Sequence, residues 1–165
     1  MFSSQCFLDW HQLKAGAFAT VCLGTHRATG KRVAIKCVSR KNLPPTDDVA
    51  IFSEVDVLAS LDHPYITKLV DFFIEKECYF IVMEYMEGGD LFDRIGKKTS
   101  YDESDARDLC RKMLEAIKHC HENGIAHCDL KPKNLLLQVR IDIDKVSRLR
   151  QAINKSLHCL AQVHG

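Results

Sequence analysis

The chain has 165 residues, of which 46% are hydrophobic and 27% charged, with only 8 Gly and 4 Pro. That composition supports a sizeable apolar core and excludes a long low-complexity tail. Its 23 basic and 22 acidic residues leave a net charge of +1, so no charge excess draws it to nucleic acid or an anionic membrane, and no apolar run is long enough to span a bilayer.

Taken in order, the first third reads as strands. β-Prone runs around Trp10–Leu13 and Thr20–Thr25 flank the small stretch Lys14-Ala15-Gly16-Ala17, and Ala28-Thr29-Gly30 marks a turn before a third strand, Lys31–Val38. Pro44-Pro45 breaks the chain. A helix is predicted from Thr46-Asp47-Asp48, whose acids suit the positive end of its dipole, with Ile51, Val55 and Leu58 as its apolar stripe and His63-Pro64 as its end. Two further strands are expected, Ile66–Ile74 and Tyr79–Tyr85, joined by Glu75-Lys76-Glu77. Glu87-Gly88-Gly89-Asp90 reads as a linker, and everything beyond it as helical. The clearest of those helices is capped by Asp102, carries Ala106, Leu109, Met113, Ile117 and Cys120 on one face, and closes at Asn123-Gly124.

The eight cysteines form no C-x-x-C pair, and no secretory leader is expected at Met1–His11. Reduced thiols and a cytoplasmic location, with the nucleus as the alternative, follow as expectations. His119, Cys120 and His121 are a poor ligand set, because neighbouring helical positions point to different faces.

Four signals carry chemistry. Leu13–Val21, read as L-K-A-G-A-F-A-T-V, places a glycine between two strands, where backbone N–H groups can approach a phosphate. In Val33-Ala34-Ile35-Lys36, strand alternation sets Ala34 and Lys36 on one face; a lysine among apolar residues needs a carboxylate, and Glu54 is the candidate. In His127-Cys128-Asp129-Leu130-Lys131-Pro132-Lys133-Asn134, one loop gathers a carboxylate, an ammonium and an amide oxygen. Phosphoryl transfer needs those three for proton acceptance, charge compensation and magnesium binding. Met83–Asp93 passes from a strand end into the linker, where backbone groups at Glu84 and Met86 suit a purine edge.

These residues resemble the protein kinase family, whose parts are a standard template for phosphoryl transfer. The runs Asp62-His63-Pro64-Tyr65-Ile66, G-G-D-L-F-D-R-I ending at Ile95, and H-E-N-G-I-A-H-C-D-L-K-P-K-N-L-L-L ending at Leu137 are similar to the calcium/calmodulin-dependent group, and Lys131 favours serine/threonine over tyrosine specificity. The resemblance implies an α+β kinase fold: an N-lobe over 7–86 with a five-stranded antiparallel sheet and one helix, an incomplete helical C-lobe over 87–137, and a divergent tail over 138–165. It implies ATP and Mg2+ as cofactors and a protein substrate with a Ser or Thr acceptor, with calmodulin a partner only of a longer form.

By the same resemblance Lys36, positioned by Glu54, holds the α- and β-phosphates, and Gly16 and Phe18 belong to the loop over them. Leu13, Val21 and Ala34 enclose adenine, with Met83 behind it; Asp129 is the base, Lys131 steadies the γ-phosphate, Asn134 binds magnesium and Asp90 contacts ribose. Three departures stand against the pattern. Lys14 and Ala19 occupy glycine positions; Cys128 replaces an arginine that receives an activating phosphate; and no D-F-G or A-P-E follows Asn134. The expectation is a serine/threonine kinase sequence in a shortened product disabled for turnover, set against a non-catalytic kinase-like module that binds nucleotide or a partner. Val146–Val163 is expected to form an amphipathic helix, from apolar residues spaced by three and four.

Overall fold

The computed structural model describes residues 7–15, 19–41, 43–97, 102–138, 151–153 and 161–162. Contacts divide the chain into a first unit of residues 1–55 and 68–85 and a second of 56–67 and 86–165.

The first unit is built on an antiparallel sheet of β1 (Phe7–Ala15), β2 (Ala19–His26), β3 (Arg32–Ser39), β4 (Leu69–Ile74) and β5 (Cys78–Glu84), in spatial order β1-β2-β3-β5-β4. The turn before β3 uses Gly30 at φ +64, a left-handed conformation that glycine adopts without a Cβ penalty. Helix α1 (Pro45–Ser60) follows β3, with Asp47 and Asp48 in its first turn. Register fixes what each sheet face carries, because residues directly opposite in antiparallel strands share a face. Val33, Ile35, Phe80, Val82 and Cys22 pack as one buried cluster on one side. The pairs Ala34–Met83, Lys36–Ile81 and Val38–Tyr79 stand on the other. The alternation read in Val33–Lys36 is therefore the alternation of two covered faces.

Three thiols line the first of those faces. Burial, then the neighbouring Cys22 and Cys78, pushes the Cys37 thiol up to about 12. Cys37 stays a neutral packing group there.

In the second unit, α2 (Leu91–Lys97) and α3 (Glu103–Glu122) surround a cluster of Val57, Leu61, Ile66, Leu91, Ala116, Cys120, Ile125 and Leu135. Asp102 caps α3 by accepting from the Ser104 N–H, and Gly124 follows its end at φ +69. The apolar face is turned slightly from the sequence reading. Ala116 and Cys120 are fully covered, while Leu109, Met113 and Ile117 are partly so. The same stripe buries Lys112, whose ammonium pairs with Asp108 one turn earlier. Hydrogen bonds from Lys112 and Arg111 hold the Asp108 carboxyl below the usual carboxylate range. A cation on an otherwise apolar stripe hides it from hydrophobic spacing.

Two expectations are corrected. The region after the linker is not wholly helical: β6 (Gly89–Asp90) pairs with β8 (Leu135–Leu137), and β7 (Ile125–Ala126) is a further short strand. Strands of two or three residues are too short to show a period of two. Nor do the described residues of the expected helix 146–163 form one. Residues 151–153 make β9, paired with β8, and 161–162 make β10, paired with β7. Backbone pairing to strands already present satisfies groups that helical spacing alone would not have placed there. No helix among the described residues is long and apolar enough to cross a membrane.

His119 stacks on His63, ring centroids 4.9 Å apart, within this second unit. Burial, and then the charge of His119, lowers the His63 pKa from 6.5. The unfolded chain therefore binds a proton that the folded chain resists, so stability falls as pH drops through about 6.5. Melting midpoints should decline from pH 7.5 to pH 5, and His63→Leu should flatten that slope.

Candidate active site

The chemistry-bearing residues fall into two groups, one in each unit. In the first unit, Lys36 is 8% and Glu54 5% exposed, and Lys36 Nζ lies 2.9 Å from Glu54 Oε1. Strand alternation delivers the lysine to the α1 side of the sheet, and helical spacing sets Glu54 one turn beyond the buried Ile51. Glu54 Oε2 is buried and accepts no hydrogen bond from any described residue. A buried ion pair with an orphan oxygen is costly to maintain, and costlier still to half-remove.

Val21 pairs with Lys36 and Ala34 with Met83, so Val21, Ala34 and Met83 share the Lys36 face. These are residues that the family resemblance assigns to adenine. Leu13 falls where the β1–β2 register shifts between Gln12 and Lys14, and is 44% exposed. Gly16 and Phe18 lie outside the described residues. Of the backbone groups named for a purine edge, the Glu84 N–H is already engaged, donating to the Lys68 carbonyl at 3.0 Å. That bond takes up the N–H, one of the two Glu84 backbone groups, and Glu84 also accepts from the Lys68 N–H through its carboxylate.

Tyr79 and Asp48, which motif reading missed, also join α1 to this sheet. The Tyr79 hydroxyl donates to Asp48 Oδ1 at 2.7 Å, and the Arg40 guanidinium lies 4.8 Å over the ring. Burial, then the hydrogen bond to Asp48, raises the phenol's pKa and keeps it a donor. The available signal was a tyrosine on the inward face of a strand and an acid in the first helical turn.

In the second unit the loop between β7 and β8 is organised around Asp129. Its N–H donates to the His127 carbonyl at 2.7 Å across Cys128, which takes φ +53. This tight turn needs a conformation that costs a non-glycine residue about 1–3 kcal/mol. The buried His127 ring also accepts from the Asp129 N–H, through Nδ1 at 3.2 Å. Lys131 Nζ lies 2.7 Å from Asp129 Oδ2, and Asn134 Nδ2 donates to both Oδ2 and the main-chain carbonyl of Asp129, each at 2.9 Å. With its NH2 turned to Asp129, Asn134 points its oxygen, the atom a hard cation takes, the other way. In the linker Met86 is buried, and Asp90 Oδ1 accepts from the Asp93 N–H at 2.9 Å, so that carboxylate caps α2.

The first unit thus presents a buried Lys–Glu pair, and the second a strained loop that holds an aspartate between a lysine and an asparagine. The chain belongs to the protein kinase domain family, whose family model matches residues 8–147. That match runs ten residues past Leu137, where the motifs end. Calcium/calmodulin-dependent protein kinase type 1 of Caenorhabditis elegans is 43% identical over 125 residues, covering 75% of this chain and 36% of that protein. Myosin light chain kinase A of Dictyostelium discoideum is 41% identical over 127 residues, 77% of this chain and 43% of that one. The crystal structure of Rad53 1-466 in complex with AMP-PNP superposes with a TM-score of 0.75 at 36% identity, over 92% of this chain and 38% of that chain. The fold is therefore kinase-like, and the chain spans well under half the length of these relatives.

Proposed function

We propose that the chain carries the nucleotide-handling residues of a serine/threonine protein kinase, with ATP as phosphoryl donor and a protein hydroxyl as acceptor. The buried Lys36–Glu54 pair carries this reading. A desolvated ammonium fixed by a carboxylate is a preorganised partner for phosphate oxygens, with no reorganisation needed when they arrive. Val21, Ala34 and Met83 give the same sheet face an apolar surface for a purine, with Leu13 at its rim and the Glu84 carbonyl and Met86 backbone as groups for its polar edge.

Asp129 accepts the proton of the acceptor hydroxyl, held by Asn134 from one side and by the turn at Cys128 from the other. Lys131 offsets charge developing on the transferred group. Magnesium, when bound, neutralises phosphate charge, and the Asn134 oxygen is the ligand this loop offers it. Asp90 contributes its carboxylate to the ribose as well as to the α2 cap. The acceptor class is proposed from Lys131 and from the serine/threonine kinases among the relatives. The chemistry is that of a reduced, cytoplasmic or nuclear compartment.

The absence of D-F-G after Asn134 favours a second reading, a kinase-like module that binds nucleotide without turning it over. Transfer of labelled γ-phosphate to a Ser/Thr peptide separates the two. Turnover that falls by about a hundred- to ten-thousandfold in Asp129→Ala supports the enzyme. Magnesium-dependent ATP binding without transfer supports the module.

A further inference from the structure

Two polar bonds tie α1 to one face of the sheet. Lys36–Glu54 is the first, and Tyr79–Asp48, with its 2.7 Å hydrogen bond, is the second. Val38 pairs with Tyr79 and Lys36 with Ile81, so the two sheet partners are diagonal neighbours on a shared face. Asp48 and Glu54 are six residues apart, about 9 Å along the helix axis. One attachment leaves a helix free to pivot; two at that separation fix both its rotation and its advance along the sheet.

Tyr79 is built to be the fixed end. It is 1% exposed, Phe52 of α1 meets its ring edge-on at 5.8 Å, and Phe72 stacks on it at 6.0 Å. Arg40, over its ring, is itself held by donating Nη1 to the Glu75 carbonyl at 3.0 Å. Glu54 has no comparable support: one carboxylate oxygen meets Lys36 and the other has no partner among the described residues. The glutamate thus depends on the helix for its position.

The geometry points to Tyr79 and Asp48 as positioning residues: their hydrogen bond sets α1 so that Glu54 holds Lys36 in its phosphate-binding pose. The inference rests on the nucleotide reading for its functional consequence, but the positional effect is measurable without nucleotide. In lysine-15N NMR, the buried and paired Lys36 ammonium should give a slowly exchanging signal, assigned by its loss in Lys36→Met. Tyr79→Phe should broaden or abolish that signal and weaken ATP binding by about tenfold, while Asp48→Asn, which keeps an acceptor oxygen, should retain both. If Tyr79→Phe does not fold, Asp48→Leu makes the same test from the other partner. An unchanged Lys36 signal in a folded Tyr79→Phe or Asp48→Leu protein overturns the inference. A signal that depends on Tyr79 in a protein that binds no ATP sustains it and refutes the nucleotide reading instead.

Discussion

Lys36→Met should cost this fold about 3–5 kcal/mol, because it strands the Glu54 carboxylate in a site that is closed to water. Glu54 is 5% exposed and one of its oxygens already has no partner, so it has no alternative donor to turn to among the described residues. The double variant Lys36→Met/Glu54→Leu should recover most of that loss, since an apolar pair of similar volume avoids desolvating two charges. Neither variant should bind nucleotide. Chemical denaturation beside ATP titration reads both quantities, and the double variant separates them: stable but unable to bind. A double variant as unstable as the single one would show that the pair is held for packing reasons.

Asn134→Ala is the second large effect expected. It removes two hydrogen bonds, to the carbonyl and to Oδ2 of Asp129, and the side-chain oxygen proposed as a magnesium ligand. The magnesium concentration needed for half-maximal ATP binding should rise by about ten- to a hundredfold. Asn134→Asp discriminates between the two roles. It keeps an oxygen ligand but sets a second carboxylate 2.9 Å from that of Asp129, where like charges repel. Magnesium dependence should be retained while the apo loop loosens, seen as faster amide exchange at Asp129. Equal magnesium dependence in the wild type and Asn134→Ala would remove Asn134 from the metal site.

The sequence made the first unit legible because its signals are local and repeated. Val33–Lys36 alternates for a physical reason, two covered sheet faces, and an apolar stripe plus Asp47 and Asp48 marks α1. The partner of Lys36 was legible too, since a lysine between buried neighbours demands a carboxylate and Glu54 sits on the inward side of the next helix. Tyr79–Asp48 was not, because the bond links residues 31 apart through a tyrosine that reads as an ordinary strand former. Short strands such as Gly89–Asp90 and Ile125–Ala126 exist through their pairing partners, and nothing within two residues announces that. The tail failed for the opposite reason. Apolar spacing over 146–163 suits a helix, yet 151–153 and 161–162 take up edges supplied by β8 and β7. The linker shows a third limit: the resemblance names Asp90 for a ligand, and what the fold shows is its use as a cap.

Calorimetric titration of AMP-PNP into the purified chain, with and without Mg2+, tests the central claim most directly. Binding that requires magnesium and disappears in the stable Lys36→Met/Glu54→Leu protein is the predicted result. Binding of equal strength in that double variant would contradict it, because the phosphates would then be held by something other than the ammonium of Lys36.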